Sequence, residues 1–216
     1  MPLLLSGTQT LNQRDNQMPN RNHPKKGSTI SVHPIKKIKD IRLIKTMLKD
    51  KPRDYALFVL GINTNLRASD ILNIKIHQVL EVQAGDELVL NEIKTKKPRR
   101  INLNKAVIAA IRPLLKQMRD NGTFSLNGPL FMGRKSEALT VPSLSRLVKT
   151  WCQGANLTGN YASHTLRKTW GYHQRKTFGV GLPELMVCFN HSSQRQTLEY
   201  LCIQPEEIKS VYENEL

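Results

Sequence analysis

The spacing of hydrophobic residues is helical along most of this chain of 216 residues and strand-like in one segment, and that contrast limits the fold more than any other feature. In PIKKIKDIRLIKTMLKD, isoleucines and leucines recur at three- and four-residue steps, which predicts an amphipathic helix over residues 34–50. Between Glu87 and Asn104, by contrast, ELVLNEIK and RRINL are short strand-like runs joined by the lysine-rich turn TKKP. The sequence therefore predicts an α+β fold that is mainly helical, with one small antiparallel β-hairpin.

Helical patterns occupy the segments on both sides of the hairpin. RDYALFVLGINTN and LRASDILNIKI precede it, and KAVIAAIRPLLKQMRD follows it and ends at Asn121–Gly122. A helix after Pro142, a helix that contains HTLRKTW, and two short helices in LPELMVCFN and SQRQTLEYL are predicted beyond that point.

The first 33 residues differ from the rest because they are rich in Asn, Gln, Pro, Gly and Ser and show no hydrophobic period. We expect a disordered polar and basic tail over residues 1–33, with or without contact to DNA phosphates. One domain is expected over residues 34–216, with residues 204–216 as its C-terminal tail.

The charge of the chain is strongly positive, with 33 Lys and Arg against 17 Asp and Glu and a formal net charge of +16. That balance favours a polyanionic partner, with nucleic acid first and an anionic membrane surface second. The plainer interpretation is a basic protein whose charge only aids solubility, although such a surplus would still bind nucleic acid without sequence preference.

Several patterns concern the cellular compartment. The three cysteines lack metal-site spacing and cannot all pair with one another, which fits a reducing environment. The N-terminal MPLLLSG has no basic residue and only three leucines, unlike a secretory signal, and no apolar run approaches the roughly 20 residues of a membrane span. We expect a cytoplasmic, nucleoid-associated protein without a membrane partner.

Residues that suit phosphate chemistry are scattered along the chain. In ASHTLRKTW, His164 and Arg167 are three apart and share one helix face, and Ser163 is a good N-cap for that helix. An arginine fork matches phosphate geometry and keeps its charge, and a helix N-terminus favours an anion. The other candidates are Arg67 in TNLRASD, Lys94 in KTKKP, His191 in NHSSQ and Tyr200 in TLEYL.

Together these side chains contain the parts that phosphodiester cleavage needs. Two arginines and a histidine can bind the non-bridging oxygens and stabilise the extra charge of a pentacoordinate transition state. Breaking the bond then needs a nucleophile and an acid for the leaving oxygen. The sequence holds no metal-ligand cluster, glycine-rich nucleotide loop or carboxylate pair that competes with this set.

The segments GINTNLRASDIL, HTLRKTW and NHSSQRQTLEY, in this order, resemble the three catalytic boxes of the tyrosine recombinase (phage integrase) family. The family pattern is an arginine in an LR-x-x-acid turn, a hairpin lysine, H-x-x-R, a leucine-glycine-histidine box, and a tyrosine nine residues after that histidine. The match covers roughly residues 50–205. It implies the catalytic-domain fold of DNA breaking-rejoining enzymes. The implied activity is site-specific recombination of the integrase or invertase type, through a covalent 3′-phosphotyrosyl intermediate and strand exchange, without a metal or small cofactor.

Matching the boxes by position implies a role for each residue. Arg67 and Arg167 would grip the scissile phosphate, while His164 and His191 would hydrogen-bond it or assist proton transfer. Asp70, three residues after Arg67, would orient the catalytic side chains without contacting the phosphate itself.

The remaining two roles are those of nucleophile and acid. Tyr200 would attack the phosphate, and Lys94 would protonate the departing 5′-oxygen. Strand register decides whether Lys94 or a neighbouring turn lysine faces the phosphate. The side chains expected to contact DNA are Lys96, Lys97, Arg99, Arg100 and Lys168.

Each of these residues taken alone has a plainer interpretation. Arg67 could be a helix-start residue paired with Asp70, since surface ion pairs are common and contribute little. His164 could be a hydrogen-bonded core histidine, and Tyr200 could pack its ring while its hydroxyl finds a partner. Only the combination of boxes favours the functional interpretation.

Two departures from the family pattern matter. Asn190 stands where the family has glycine, but asparagine tolerates the left-handed backbone conformation, so we expect the turn to persist. Only about 50 residues precede the match, so the chain resembles the short members without a full N-terminal core-binding domain.

The resemblance also implies partners and leaves alternatives open. Double-stranded DNA is the implied substrate, with a homotetramer formed on it by exchange of the C-terminal tail and with accessory DNA-bending proteins. A type IB topoisomerase-like nicking-closing enzyme would use the same pocket, but it would relax supercoiled plasmid without recombinant product. A catalytically weak or inactive DNA-binding regulator is the third possibility.

Overall fold

The computed structural model describes residues 31–94, 96–133 and 137–203. The predicted tail over residues 1–33 falls mostly outside this part of the chain, and the tail over 204–216 falls entirely outside it. In chain order, the elements are α1 (Ile38–Leu48), α2 (Pro52–Asn63), α3 (Ala68–Leu72), a 3-10 turn (Ile76–Gln78), β1 (Glu87–Asn91), β2 (Pro98–Asn102), α4 (Lys105–Asp120), α5 (Val141–Gly154), α6 (Ser163–Lys176), α7 (Leu182–Phe189) and α8 (Gln194–Leu201).

This order confirms the predicted mainly helical α+β fold with one small antiparallel sheet. The helix predicted in LRASDILNIKI is shorter than expected and stops at Leu72. It stops because the chain then extends to pair with a later loop, where the Leu130 amide donates to the Ile74 carbonyl at 2.8 Å. None of the described helices is long and apolar enough to cross a membrane.

The register of the hairpin decides which of its side chains face inward. Leu90 pairs with Arg99, and Val89 pairs with Arg100. Because side chains alternate between the two faces of a strand, Arg99 shares the inner face with the buried Leu88 and Leu90. Arg100 therefore shares the outer face with the exposed Val89.

Helix α2 is buried around most of its circumference and packs against α4 and α6. Its contact with α6 requires glycine at position 61, because a Cβ atom there would lie 2.5 Å from Leu166 Cδ1. The close approach places the end of α2, and the turn that carries Arg67, beside the first turns of α6.

A second glycine brings α7 and α8 onto α6. A Cβ atom at Gly171 would collide with the Phe189 ring and would lie 2.6 Å from Leu201 Cδ2. Phe189, Leu201 and Leu185 form a small apolar cluster, on which Trp170 also packs. These contacts bring the segments GINTNLRASDIL, HTLRKTW and NHSSQRQTLEY close together in space.

The chain before α1 is extended and is anchored to α6. The Ile35 amide donates to Thr169 Oγ1 at 2.8 Å, and the Ile35 carbonyl lies 2.9 Å from His173 Nε2. The amphipathic prediction for α1 is correct except at Ile38, which is 40% exposed. The buried positions of that stretch are Ile35, Ile41, Ile44 and Leu48.

The start of α6 differs from the prediction in one respect. Ala162, not Ser163, occupies the N-cap position, and Ser163 is the first helical residue. The Ala162 amide donates to Thr165 Oγ1 at 3.1 Å, which satisfies the cap from inside the helix. Ser163 is buried and exchanges hydrogen bonds with Ser145 on α5, so its hydroxyl joins two helices instead of capping one.

Candidate active site

Arg67 occupies the extended N-cap position directly before α3, and two carboxylates flank it. Its Nη1 lies 2.6 Å from Glu92 Oε2 and 3.9 Å from Asp70 Oδ2. Asp70 is buried and accepts a hydrogen bond from the Ile93 amide at 2.9 Å, which ties the start of the hairpin turn to α3. Asp70 thus fixes the backbone beside Arg67, while the close ion pair belongs to Glu92, a residue that no sequence pattern singled out.

Arg167 lies on the inward face of α6 and is buried. Its guanidinium carbon lies 5.2 Å from the Phe189 ring centroid, and its Nη2 donates to the Phe189 carbonyl at 3.4 Å. Burial lowers the pKa of Arg167 and the Tyr200 phenol raises it, while the charges of Arg67 and Arg99 lower it further. An arginine so placed stays cationic and gains from an additional anion.

His164 stands one turn before Arg167 and remains exposed. Partial desolvation lowers the pKa of its imidazole, and the positive charges of Arg167, Lys168 and Arg67 lower it further. His164 therefore lies in the same field of cations, with its ring towards solvent.

The turn between α7 and α8 is built as the sequence predicts. Asn190 adopts the left-handed conformation, with φ 57° and ψ 50°, and ends α7. His191 follows, and its Nδ1 lies 3.0 Å from Thr197 Oγ1. Its ring stacks on Phe189 with centroids 5.2 Å apart. Burial lowers the pKa of His191, and the charge of Arg167 adds to that effect.

Tyr200 lies on α8 and is half-buried against the same aromatic residues. Its ring centroid lies 5.0 Å from that of Phe189 and 5.2 Å from that of His191. Burial raises the pKa of the phenol, whereas the charges of Arg167 and Arg67 lower it. The phenol is thus held within the electrostatic reach of both guanidinium groups.

Arg99 is half-buried and hydrogen-bonds to the end of α7. Its Nη2 donates to the Cys188 carbonyl at 2.9 Å, and Asn65 Nδ2 donates to the same oxygen. The carbonyl belongs to the last turn of α7, so the two side chains hold the segment that leads to His191. The Nε atoms of Arg99 and Arg167 are buried without a hydrogen-bond partner among the described residues. Buried donors left open in this way suit an anion.

The turn lysines Lys94, Lys96 and Lys97 and the strand residue Arg100 are all exposed. Lys94 makes no hydrogen bond or ion pair with any described residue. Arg100 forms an exposed ion pair with Glu87 at 3.1 Å. These four side chains are therefore open to solvent.

Lys168, the predicted DNA contact on α6, lies in a different environment from the hairpin residues. The side chain is buried, and its Nζ lies 5.0 Å from the Tyr200 ring centroid and 3.5 Å from Cys202 Sγ. Position 168 lies on the inward side of α6, which the neighbouring helix α8 covers, so this lysine contacts the phenol instead of solvent.

The assembled site is a cationic cluster that includes one phenol. Arg67, Arg99 and Arg167 converge on it, with His164 and His191 at its sides. Among the described residues, no group of three His, Cys, Asp or Glu side chains is placed to hold a metal ion. The arrangement suits the binding of a phosphate diester next to a nucleophilic hydroxyl.

Comparison with known proteins places this chain in a family. Residues 36–207 match the model of the phage integrase family. The chain is 34% identical over 184 residues to the probable integrase/recombinase YoeC of Bacillus subtilis, which covers 84% of this chain and 95% of that protein. It is 31% identical over 160 residues to the tyrosine recombinase XerC of Caldanaerobacter subterraneus, covering 74% of this chain but 44% of that protein. The chain thus spans nearly all of the first relative and less than half of the second.

Solved structures share the fold at low sequence identity. The XerA recombinase matches with a TM-score of 0.66 and 15% identity, over 88% of this chain and 65% of that one. The XerH site-specific recombinase bound to its difH substrate matches with a TM-score of 0.67 and 17% identity, over 87% of this chain and 55% of that one. The family model covers most of the chain, and the match to the Bacillus relative spans nearly the full length of that relative. This protein therefore belongs to the phage integrase family and carries the catalytic domain of a tyrosine-type site-specific recombinase.

Proposed function

We propose that this domain cuts and rejoins double-stranded DNA through a covalent bond between Tyr200 and a 3′-phosphate. The observation that carries the proposal is the placement of the Tyr200 ring, whose centroid lies 5.2 Å from that of His191 and 5.0 Å from that of Phe189, the ring that the Arg167 guanidinium also contacts. DNA as the substrate is supported by the net charge of +16 and by the XerH site-specific recombinase structure, which was solved bound to its difH substrate.

In the cleavage step, Tyr200 Oη attacks the scissile phosphorus and its proton passes to a neutral imidazole of His191 or His164. The lowered pKa of both rings supports this assignment, because a neutral imidazole is the form that accepts a proton. Arg67 and Arg167 bind the non-bridging oxygens and stabilise the charge that develops on them.

The bond that breaks is the one from phosphorus to the 5′-oxygen, which leaves with a proton from a turn lysine. Lys94 is our candidate for that acid, and Lys96 and Lys97 are the neighbours it must be compared with. In the reverse step, a 5′-hydroxyl attacks the phosphotyrosine, the phenol recovers its proton and the DNA is rejoined. The number of phosphoester bonds is conserved, so ligation needs no nucleotide cofactor.

Glu92 sets a condition on this reaction. Its carboxylate oxygen Oε2 lies 2.6 Å from Arg67 Nη1. A phosphate oxygen that binds Arg67 must compete with this carboxylate or share the guanidinium with it. We therefore assign Glu92 as a side chain that tunes phosphate affinity.

Larger-scale features of the function belong to the same proposal. Strand exchange between two sites needs four active subunits, so we propose a homotetramer on DNA in which residues 204–216 link neighbouring subunits. Accessory DNA-bending proteins would select the outcome, and association with the nucleoid would follow from DNA binding.

The direct test is incubation of the protein with a library of nicked duplexes whose central segment is randomised. After cleavage a nicked duplex loses the short strand that ligation requires, so the covalent adduct accumulates and is seen on a denaturing gel. Adduct from the wild-type protein and none from Tyr200→Phe, with equal DNA binding by both, supports the proposal. DNA binding without any adduct would favour the regulator instead, and plasmid relaxation without recombinant product would favour a nicking-closing enzyme.

A further inference from the structure

The most unusual side chain outside the roles assigned above is Lys168. It is only 6% exposed, although it carries a charge and follows Arg167 directly on α6. A buried ammonium group is destabilising unless nearby groups stabilise its charge. One such group is the ring of Tyr200, whose centroid lies 5.0 Å from Lys168 Nζ.

The second contact of Lys168 is with the end of the same helix. Its Nζ donates to Cys202 Sγ at 3.5 Å, and the thiol in turn donates to the Val32 carbonyl at 3.6 Å. Cys202 is in the left-handed conformation, with φ 56°, and ends α8. Lys168 therefore touches α8 at two points, at the phenol and at the residue that terminates the helix.

We propose that Lys168 is a positioning residue for Tyr200. Its ammonium group holds the phenol ring beside the arginine cluster and favours the phenolate form of Tyr200 during its attack on the phosphate. The inference rests on the proposed function of Tyr200 as the nucleophile. The ammonium transfers no proton in this step. It contributes a fixed positive charge next to the ring as the hydroxyl loses its proton to an imidazole.

Other charged or titratable groups also face Tyr200, and they limit how large the effect of one lysine is. Arg67 approaches from the turn before α3, Arg167 from α6, His191 from the turn before α8, and Cys202 from the end of α8. Removal of Lys168 leaves both guanidinium groups in place. The variant should consequently retain DNA binding and lose only part of its cleavage rate.

The test uses Lys168→Met, which keeps the length of the side chain without its charge, and Lys168→Arg, which keeps the charge. Lys116→Met, at an exposed lysine on α4, is the matched control for the loss of one positive charge. Adduct formation on the nicked-duplex library is measured as a rate across pH. Phenolate absorbance is titrated in the absence of DNA, and the Tyr200 signal is the difference from the same protein with Tyr200→Phe.

We expect Lys168→Met to form adduct about tenfold more slowly near neutral pH, in line with a cation–ring interaction of about 1.4 kcal/mol. The Tyr200 phenolate should appear at higher pH than in the wild-type protein, and the rate difference should shrink as pH rises. Lys168→Arg should recover most of the rate, and Lys116→Met should behave as the wild type. If Lys168→Met does not fold, Lys168→Gln takes its place, because glutamine can still contact Cys202 without a charge.

The inference is overturned if the uncharged variant titrates Tyr200 as the wild type does, or if its rate defect is the same at every pH. Failure of the proposed function has a different signature, since the wild-type protein itself would then form no adduct. The titration without DNA still reports on the contact between Lys168 and Tyr200 in that case.

Discussion

Arg67 Nη1 lies 2.6 Å from Glu92 Oε2, so the guanidinium that should receive a DNA phosphate is already paired with a carboxylate from the hairpin turn. Both side chains are mostly buried, at 19% and 12% exposure, so the pair is weakly screened by solvent. We expect this pair to stabilise the domain and to limit its affinity for phosphate.

Replacement of Glu92 by Gln should therefore act on stability and binding in opposite directions. We expect the free energy of unfolding without DNA to fall by about 1–2 kcal/mol, because Arg67 loses a charged partner. DNA affinity should rise by about tenfold, a gain of about 1.4 kcal/mol, because the phosphate no longer competes with a carboxylate. Urea denaturation and fluorescence anisotropy measure the two quantities.

The matched control is Glu87→Gln, which removes the same charge from the exposed pair with Arg100 in the same hairpin. Exposed pairs contribute little, so this variant should change both quantities only slightly. Equal gains in DNA affinity for the two variants would mean that net charge, and not the release of Arg67, is responsible.

Arg99 and Arg100 are adjacent on β2 but should have separable effects. Arg99→Met removes a hydrogen bond to the Cys188 carbonyl, so the free energy of unfolding should fall by about 1 kcal/mol and adduct formation should slow.

Arg100→Met should leave the free energy of unfolding within about 0.5 kcal/mol of the wild type. If Arg100 contacts a phosphate, its loss should reduce the salt slope of DNA binding by about 0.9. Similar stability losses in both variants would contradict the inward and outward placement of the two side chains.

The left-handed backbone at Asn190 has a simple test. Asn190→Gly should preserve or increase the melting temperature, since glycine adopts this conformation without a steric penalty. Asn190→Val should lower the free energy of unfolding by about 1–2 kcal/mol and should displace His191. A valine variant with the wild-type melting temperature and adduct rate would show that the turn tolerates another conformation.

The lowered pKa of His191 links stability to pH. Its ordinary value is 6.5, and burial followed by the charge of Arg167 depresses it in the folded protein. The folded state therefore binds the proton less tightly than the unfolded state. Stability is fully present above about pH 6.5 and declines as pH falls through the lower, folded-state pKa. His191→Gln should flatten that decline in urea titrations between neutral and acidic pH, and an unchanged pH dependence would count against this linkage.

Short-range sequence patterns predicted much of the fold and the candidate residues of the site. The helical period, the change of period at the hairpin and the left-handed tolerance of Asn190 all depend on nearby residues, and the structure agrees with each. The close approach of α2 to α6 was not evident from the sequence, because Gly61 gives no sign of which side chain lies against it.

The features that the sequence patterns did not reveal depend on contacts between distant segments. Strand register decides whether Arg99 or Arg100 lies on the inner face of the hairpin. The packing of α8 against α6 decides that Lys168 is buried. Glu92 was missed because a carboxylate in a basic turn has no motif of its own. Its partnership with Arg67 exists only once the hairpin folds back towards α3.

The central claim is that Tyr200 is the residue that becomes joined to DNA, and mass spectrometry of the trapped adduct tests it most directly. Trypsin should release Tyr200 within the peptide of residues 196–209, separate from Tyr212 in residues 210–216 and from the other tyrosines of the chain. After nuclease trimming of the adduct, we predict a nucleotide mass on the 196–209 peptide, with fragmentation that assigns it to Tyr200. A nucleotide on the peptide of Tyr161 or Tyr212, or on no tyrosine at all, would contradict the account.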